Sequence, residues 1–449
     1  VTERTDVVVV GAGVSGLAAT RRLRAGGLRV LLLEGGDRPG GRAALMPAPE
    51  PDGLPAGSMY LSPGARTLLD LAAELDVAVE SAVHDPALKD LRVDDNGEVH
   101  LSEANVPLGT SWWSRLRNEW IFTGFARMAR GVDLAEPWRS AGAEDLDRRT
   151  ARAWLRSYSS DRRLLGLVEE ALTFDAGMPA DRISLLWLLA HIGPDLPEDD
   201  EYLRLDPALL VERMAAPVAG VVRTGRHVEW VEQSEHGVRV GGPWGEVAAD
   251  RAVLALSPAD AARLAFSPAL PPERERLQRD WPQSEIIRTE LVYWRPFWRG
   301  FGLSGGVHFD EGVPAWTLDD SPVDANQGRL VAHTYTFDEG DPLGADQEIA
   351  GAPVRHRTLL LENLRVALGP LADDPITLTQ SAAGPEIYSR AYQSPTPPGF
   401  LTRYGPWLRA PVGRVHWAAA ETGAFPGNGT LDGAVASGHR AAEEVLRGA

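Results

Sequence analysis

Two hydrophobic periods organise this chain. Asp6–Val10 is a β-branched run closed by glycine, which predicts a strand buried in a parallel sheet. Gly11-Ala12-Gly13-Val14-Ser15-Gly16 follows at once, and Leu17–Arg24 then takes helical spacing. Val30–Leu33 predicts a second strand, closed by Glu34. Val307-His308-Phe309 has strand character, and Ala441–Leu446 is an amphipathic run near the end of the chain. The longest apolar candidate for a membrane span, Leu185–Ala190, is far too short to cross a bilayer. Pro194–Asp200, acidic and proline-containing, and Pro268–Pro272 are soft linker signals. A chain of 449 residues is too long for one simple core, so two or more domains are expected.

The opening strand, glycine turn, helix and second strand have the spacing of a βαβ dinucleotide fingerprint. Each part has a physical task. Gly11 permits the tight turn, Gly13 lets the backbone approach a pyrophosphate, and Gly16 lets helix and strand pack closely. The helix N-terminus offers free N–H groups and a partial positive charge to phosphate. Gly11, Ala12, Gly13, Ser15 and Gly16 are therefore the expected cradle, and Glu34 the acceptor for the adenosine ribose hydroxyls. A bare G-x-G-x-x-G also occurs as a simple glycine-rich turn; the two strands, the helix and the terminal acid together favour the cradle.

Charge and composition narrow the picture. The formal net charge of −18 argues against nucleic acid, whose phosphates need a basic face. An acidic field draws cationic substrates, although it also serves solubility. With no cysteine, disulfides and thiolate metal sites are excluded. Lys89 is the single lysine among 45 basic residues, so lysine chemistry is absent from nearly every position. The first strand opens within a few residues of the N-terminus, leaving no room for a leader, and a soluble cytoplasmic protein is the expectation.

Gly35-Gly36-Asp37-Arg38-Pro39-Gly40-Gly41-Arg42 resembles the E-x-R-x-R-x-G-G-R segment of the flavin amine oxidases, the monoamine and polyamine oxidases. The resemblance continues through Pro296-Phe297-Trp298-Arg299 and Thr317-Leu318-Asp319-Asp320. It is strongest from Pro397-Pro398-Gly399 through Tyr404-Gly405, Leu408-Arg409, Pro411-Val412-Gly413 and Val415-His416-Trp417 to Leu431-Asp432-Gly433-Ala434-Val435 and Ser437-Gly438. It implies an α/β fold: a Rossmann-type FAD-binding domain interleaved with an α+β substrate-binding domain. The FAD-binding pieces would be 1–76, 205–285 and 385–449. The substrate-binding pieces would be 77–204, helical, and 286–384, supplying strands.

The resemblance also implies site residues. Gly35, Gly40, Gly41 and Arg42 would track the pyrophosphate and flavin. Gly57, Ser58, Met59 and Tyr60 would form the turn beside the flavin, with Pro55 and Ser58 departing from the family's D-x-G-G-S-[YF]. Val228, in a strand His227-Val228-Glu229, would meet the adenine through its backbone. Glu421 and Leu431 would complete the flavin site, the last helix pointing its N-terminus at the pyrimidine oxygen.

Departures from the family bear on mechanism. Arg288 stands where amine oxidases usually carry a lysine that holds a water at flavin N5. Arginine stays protonated, so it acts as donor or charge rather than base, or simply pairs with an acid. Tyr392 matches one aromatic wall of the substrate cage, while the second falls near Thr430, in a stretch one residue longer than W-x-G-Y. Ala391 replaces the cysteine that some members link to FAD, so the flavin should be non-covalent.

No second glycine fingerprint appears, so the substrate itself would reduce the flavin. Gly302-Leu303-Ser304-Gly305-Gly306 fits G-x-S-x-G, but that nucleophile motif needs a following helix, and Val307-His308-Phe309 is strand-like. No metal-ligand spacing is present, and no metal is expected. Trp112, Trp113 and Trp120 read as core packing in a helical stretch rather than a substrate wall. Three readings compete: an FAD-dependent amine or amino-acid oxidase using O2, a biosynthetic FAD enzyme acting on a larger metabolite, and a flavin-bound scaffold without turnover. The expected partners are a small amine-bearing substrate and O2, with a second copy of the chain as a candidate protein partner.

Overall fold

The computed structural model describes residues 3–43, 60–81, 87–94, 96–102, 120–158, 165, 168–169, 172, 176–193, 203–282, 286–310, 313–321, 327–335, 352–381 and 395–448. The fold is mixed α/β, with two large sheets and a small one. The eight-stranded sheet runs β12 (Ala265–Ser267), β9 (Trp230–Ser234), β10 (Gly237–Gly242), β11 (Gly245–Leu254), β1 (Glu3–Val10), β2 (Val30–Leu33) and β8 (Val222–Arg223), with β18 (Val415–Trp417) also paired to β11. Its centre, β11–β1–β2, is parallel, which is why Val7–Val10 and Leu31–Leu33 are buried without alternation. Burying a valine contributes about 1.5–3 kcal/mol, so this strand anchors the sheet.

The helix Val14–Ala25 crosses from β1 to β2 and packs against the C-terminal helix Leu431–Arg447. Gly438 permits that approach: a Cβ there would lie 2.3 Å from Ser15 O.

The seven-stranded sheet runs β17 (Thr377–Ser381), β13 (Ile286–Tyr293), β16 (Gly328–Tyr335), β15 (Trp316–Asp319), β14 (Leu303–Phe309), β5 (Lys89–Val93) and β6 (Val99–Ser102). Leu291, Tyr293, Val307 and Leu330 cluster on one face with Leu360, Leu364 and Leu368 of the helix Ala352–Leu368. Side chains alternate along a strand, so Arg288 and Glu290 of β13 project from the opposite face. The small sheet joins β3 (Tyr60–Leu61), β7 (Leu203–Leu205) and β4 (Val79–Ser81).

Several expectations need correction here. The segment 77–204 is helical only in part, because it also supplies β4 to β7. β5 joins the large sheet only through its parallel pairing with β14, which lies far away in sequence. His227-Val228-Glu229 is not a strand; the ladder begins at Trp230, after the chain turns beside Glu34. The G-x-S-x-G motif lies within or beside β14, where Ser304 donates to the buried Asp90, so no nucleophile elbow forms. Leu185–Ile192 is a helix buried in a core with Phe125, Trp154 and Ile183, and Ser184 caps it. Among the described residues no helix is long and apolar enough to cross a membrane. Trp120 opens the helix Trp120–Ala129, whereas Trp112, Trp113 and Pro194–Asp200 lie outside the described residues.

Candidate active site

The C-terminal ends of β1, β2 and β11 lie side by side, the usual ligand position in an open α/β sheet. Gly11 holds φ +96°, and a Cβ there would strike Ala255 O at 2.6 Å. A Cβ at Gly16 would lie 1.9 Å from Gly11 O, so this glycine lets the helix press on the turn itself. Gly13 differs from both. Its backbone suits any residue (φ −68°, ψ 178°), and an added Cβ would meet only Gly41 Cα, at 4.0 Å. Neither conformation nor packing requires glycine at that position. The described residues leave the space in front of Gly13 open, at a helix N-terminus with no side-chain cap and no acid in its first turn.

The carboxylate of Glu34 organises this turn. Its Oε2 accepts from Ala12 N and its Oε1 from Gly36 N, both at 2.8 Å. Gly40 N donates to Ala12 O at 2.9 Å, which lays the Gly40-Gly41 turn beside Gly13; Ser15 is buried in the helix that follows. On the other side Arg226 N donates to Glu34 O at 2.7 Å. That contact leads into Val228, a buried residue whose backbone N–H and C=O have no hydrogen-bond partner among the described residues.

Arg42 extends from the same turn to Glu421. Nη1 lies 2.8 Å from Oε1, and Nη2 donates to Oε2 at 3.0 Å. Around this ion pair Arg409 donates to the carbonyls of Thr422 and Gly423, and Asn428 Nδ2 donates to the Glu421 carbonyl at 2.6 Å. Thr430 caps the last helix: its Oγ1 accepts from Gly433 N at 3.3 Å and donates to Gly427 O at 2.7 Å. Leu431 is the first residue of that helix.

A second polar cluster lies on the face of β13 away from its core. Arg288 pairs in register with His333, and its Nη1 is 3.8 Å from Glu290 Oε2. Glu290 Oε1 takes Arg329 Nε at 2.8 Å. The Tyr60 phenol donates to Asp320 Oδ1 at 3.2 Å. Burial raises the pKa values of Glu290 and Asp320, while Arg288 and Arg329 pull both the other way. Burial, then the charge of Asp320, pushes Tyr60 well above 10, so its phenol remains a donor. His333 stacks on Trp316 with ring centroids 4.0 Å apart, and burial plus the charge of Arg288 keep it neutral.

The profile of the flavin containing amine oxidoreductases matches residues 14–446, which is nearly the whole chain. This chain belongs to that family. It is 32% identical over 465 residues to a protein named as a flavin-containing monoamine oxidase, AofH, of Mycobacterium tuberculosis, covering 98% of this chain and 96% of the relative. It is 29% identical over 469 residues to putrescine oxidase of Kocuria rosea, covering 98% and 95%. The structure of wild-type putrescine oxidase bound to putrescine superposes with a TM-score of 0.85 at 26% identity, covering both chains completely. Cyclohexylamine oxidase from Brevibacterium oxydans gives 0.82 at 25%, covering 99% of each.

This amine oxidoreductase is thus an enzyme of a flavin-dependent family, and its open cradle at Gly13 fits the pyrophosphate of a flavin dinucleotide. Gly57, Ser58, Met59, Ala391 and Tyr392 lie outside the described residues. The sequence motifs assigned no role to Glu290, Arg329, Asn428, Arg409 or Asp320, although Arg409 and Asp320 fall within segments that carry the resemblance. One signal was available for Glu290: charges two residues apart within an otherwise apolar strand must share a face with Arg288.

Proposed function

We propose that this protein is an FAD-dependent amine oxidase with non-covalently held cofactor, organised as the two interleaved domains outlined from the sequence. The chemistry FAD supplies is a two-electron oxidation: hydride leaves the carbon bonded to nitrogen for flavin N5, an imine results, and O2 takes the electrons as H2O2. The observation that carries the reading is Gly13, a glycine demanded by neither backbone nor packing, facing an uncapped helix N-terminus. Backbone N–H groups there would hold the pyrophosphate, and Glu34, with acceptor capacity beyond its two loop amides, would take the ribose hydroxyls. The Val228 backbone, which has no hydrogen-bond partner among the described residues, would take the adenine.

Arg42 and Glu421 would close the flavin end, where the N-terminus of the last helix offers partial positive charge to the pyrimidine. The Gly57–Tyr60 turn would lie beside the flavin. Arg288 would present a fixed positive charge near N5, and Tyr392 one aromatic wall of the substrate site. The relatives named for putrescine and cyclohexylamine support an amine substrate. Arginine in place of the family lysine, and threonine at the second cage wall, favour a bulkier amine or a biosynthetic variant acting on a larger metabolite.

The test is direct. Purified protein should be yellow, should release free FAD on acid or heat treatment, and should yield carbonyl product and peroxide with some member of an amine panel. Flavin that stays with the denatured chain would rule out the non-covalent assignment. Holoprotein that no amine reduces, but that turns over a larger metabolite, would favour the second reading.

A further inference from the structure

Arg409 ends the helix Phe400–Arg409, and all three of its guanidinium nitrogens donate to main-chain carbonyls. Nε reaches Thr422 O at 3.0 Å, Nη2 reaches Gly423 O at 2.7 Å and Nη1 reaches Ala135 O at 2.6 Å. Asn428, itself buried, donates from Nδ2 to Glu421 O at 2.6 Å and to Gly423 O at 3.2 Å. The carbonyls of residues 421, 422 and 423 leave the single 3-10 turn Ala420–Thr422 in succession, where no continuing helix offers them amides. Side chains from two other segments take all three. Gly423 N and Gly429 N close the start of the turn on Ala420 O, at 3.0 and 2.9 Å. Phe425 N donates to Leu134 O at 3.1 Å, so the 134–135 segment is tied to the same loop.

We propose that Arg409 and Asn428 are positioning residues that clamp the main chain of residues 421–423 and so set the Glu421 carboxylate against Arg42 at the flavin. The inference rests on the reading that Arg42 and Glu421 close the flavin end of the site. An ion pair restrains two side-chain ends, but the place of each end also depends on the backbone that carries it. The Glu421 carboxylate is buried and meets Arg42 at 2.8 Å, so a small shift of its backbone moves a charge within the site. Arg409 and Asn428 act through Glu421 and not on the cofactor themselves.

Sulfite tests this in the FAD-loaded protein, because it adds as an anion to N5 of oxidised flavin, bleaches it, and reports the charge around the ring without turnover. Glu421→Gln removes a negative charge and should tighten sulfite binding about threefold or more. Arg409→Lys keeps its charge but puts one nitrogen where three carbonyls each had their own. It should change the sulfite Kd by about threefold or more with Glu421 present, and by less than about 1.5-fold in Glu421→Gln, as coupled residues do. Equal factors in both backgrounds, or no change in either, with Glu421→Gln still altered, would overturn the positioning role and leave Glu421 at the flavin. Sulfite binding unchanged by Glu421→Gln would remove the reading of Glu421 and this inference with it. If Arg409→Lys does not retain FAD, Asn428→Ala, which also leaves the charge unaltered, takes its place. The same dependence on Glu421 is expected, and equal factors or no change again overturn the proposal. Where Glu421→Gln loses FAD, Glu421→Asp, which withdraws the carboxylate by one methylene, is the second background under the same criteria.

Discussion

Arg42 and Glu421 stand 379 positions apart in the chain and form a two-pronged ion pair at 2.8 and 3.0 Å, the carboxylate almost wholly shielded from water. The pair joins the turn after β2 to the segment that leads into the helix Leu431–Arg447, so it links two segments far apart in sequence. Removing only the arginine leaves a buried carboxylate uncompensated. Arg42→Ala should therefore lose about 3 kcal/mol of stability, the low end for a broken buried pair because Arg42 is partly exposed. Arg42→Ala with Glu421→Gln should recover part of that loss. Denaturant unfolding of the single and double variants measures both values, and a single variant within about 0.5 kcal/mol of wild type would show that the pair contributes little.

Gly13 and Gly16 should fail in different ways. Gly13→Val places atoms where the described residues have none, so the protein should fold but lose FAD affinity at least tenfold, or about 1.4 kcal/mol. Gly16→Ala drives a methyl to within 1.9 Å of a backbone carbonyl and should destabilise the fold itself. Flavin content beside apoprotein melting separates the two. Full flavin retention in folded Gly13→Val would remove the basis for siting the cofactor here.

Arg288→Ala should slow anaerobic flavin reduction by a working substrate roughly 10²–10³-fold, or ~2–4 kcal/mol in the transition state, through loss of a charged donor. Stopped-flow absorbance reads the rate. A rate within about threefold of wild type, with FAD still bound, would make Arg288 a structural residue.

His356 should make stability pH-dependent. It is buried between Thr334 and Gln380, and burial depresses its pKa from 6.5 to about 4. Between those values the unfolded chain binds the proton and the folded chain does not, so stability falls as pH drops from 6.5 toward 4. The full effect is on the order of 3 kcal/mol. His356→Gln should flatten that part of the stability profile, and an unchanged slope in urea melts across the window would show that the depression is absent.

What was legible in the sequence is what depends on neighbours along the chain. The β-branched run at Val7–Val10, the glycine turn after it and the helical spacing of Leu17–Arg24 are local patterns, and they mark β1, the cradle and the first helix within a few residues of where they lie. The sequence also determined that no cysteine is present to hold a flavin and that position 288 carries an arginine. Tertiary structure decided the rest. Residues 89–93 and 99–102 became strands because β5 found an edge at β14, a pairing between segments too distant for any local periodicity to encode. Val228 lost its expected strand because the chain turns past Glu34 before the ladder begins. Thr430 became a helix cap because the turn before it returns to the helix start. The Tyr60–Asp320 contact spans 260 positions and exists only where two sheets meet. Backbone propensity acts over a few residues, whereas a buried charge takes its partner from whatever the folded chain brings within a few ångströms, and a single sequence does not record that proximity.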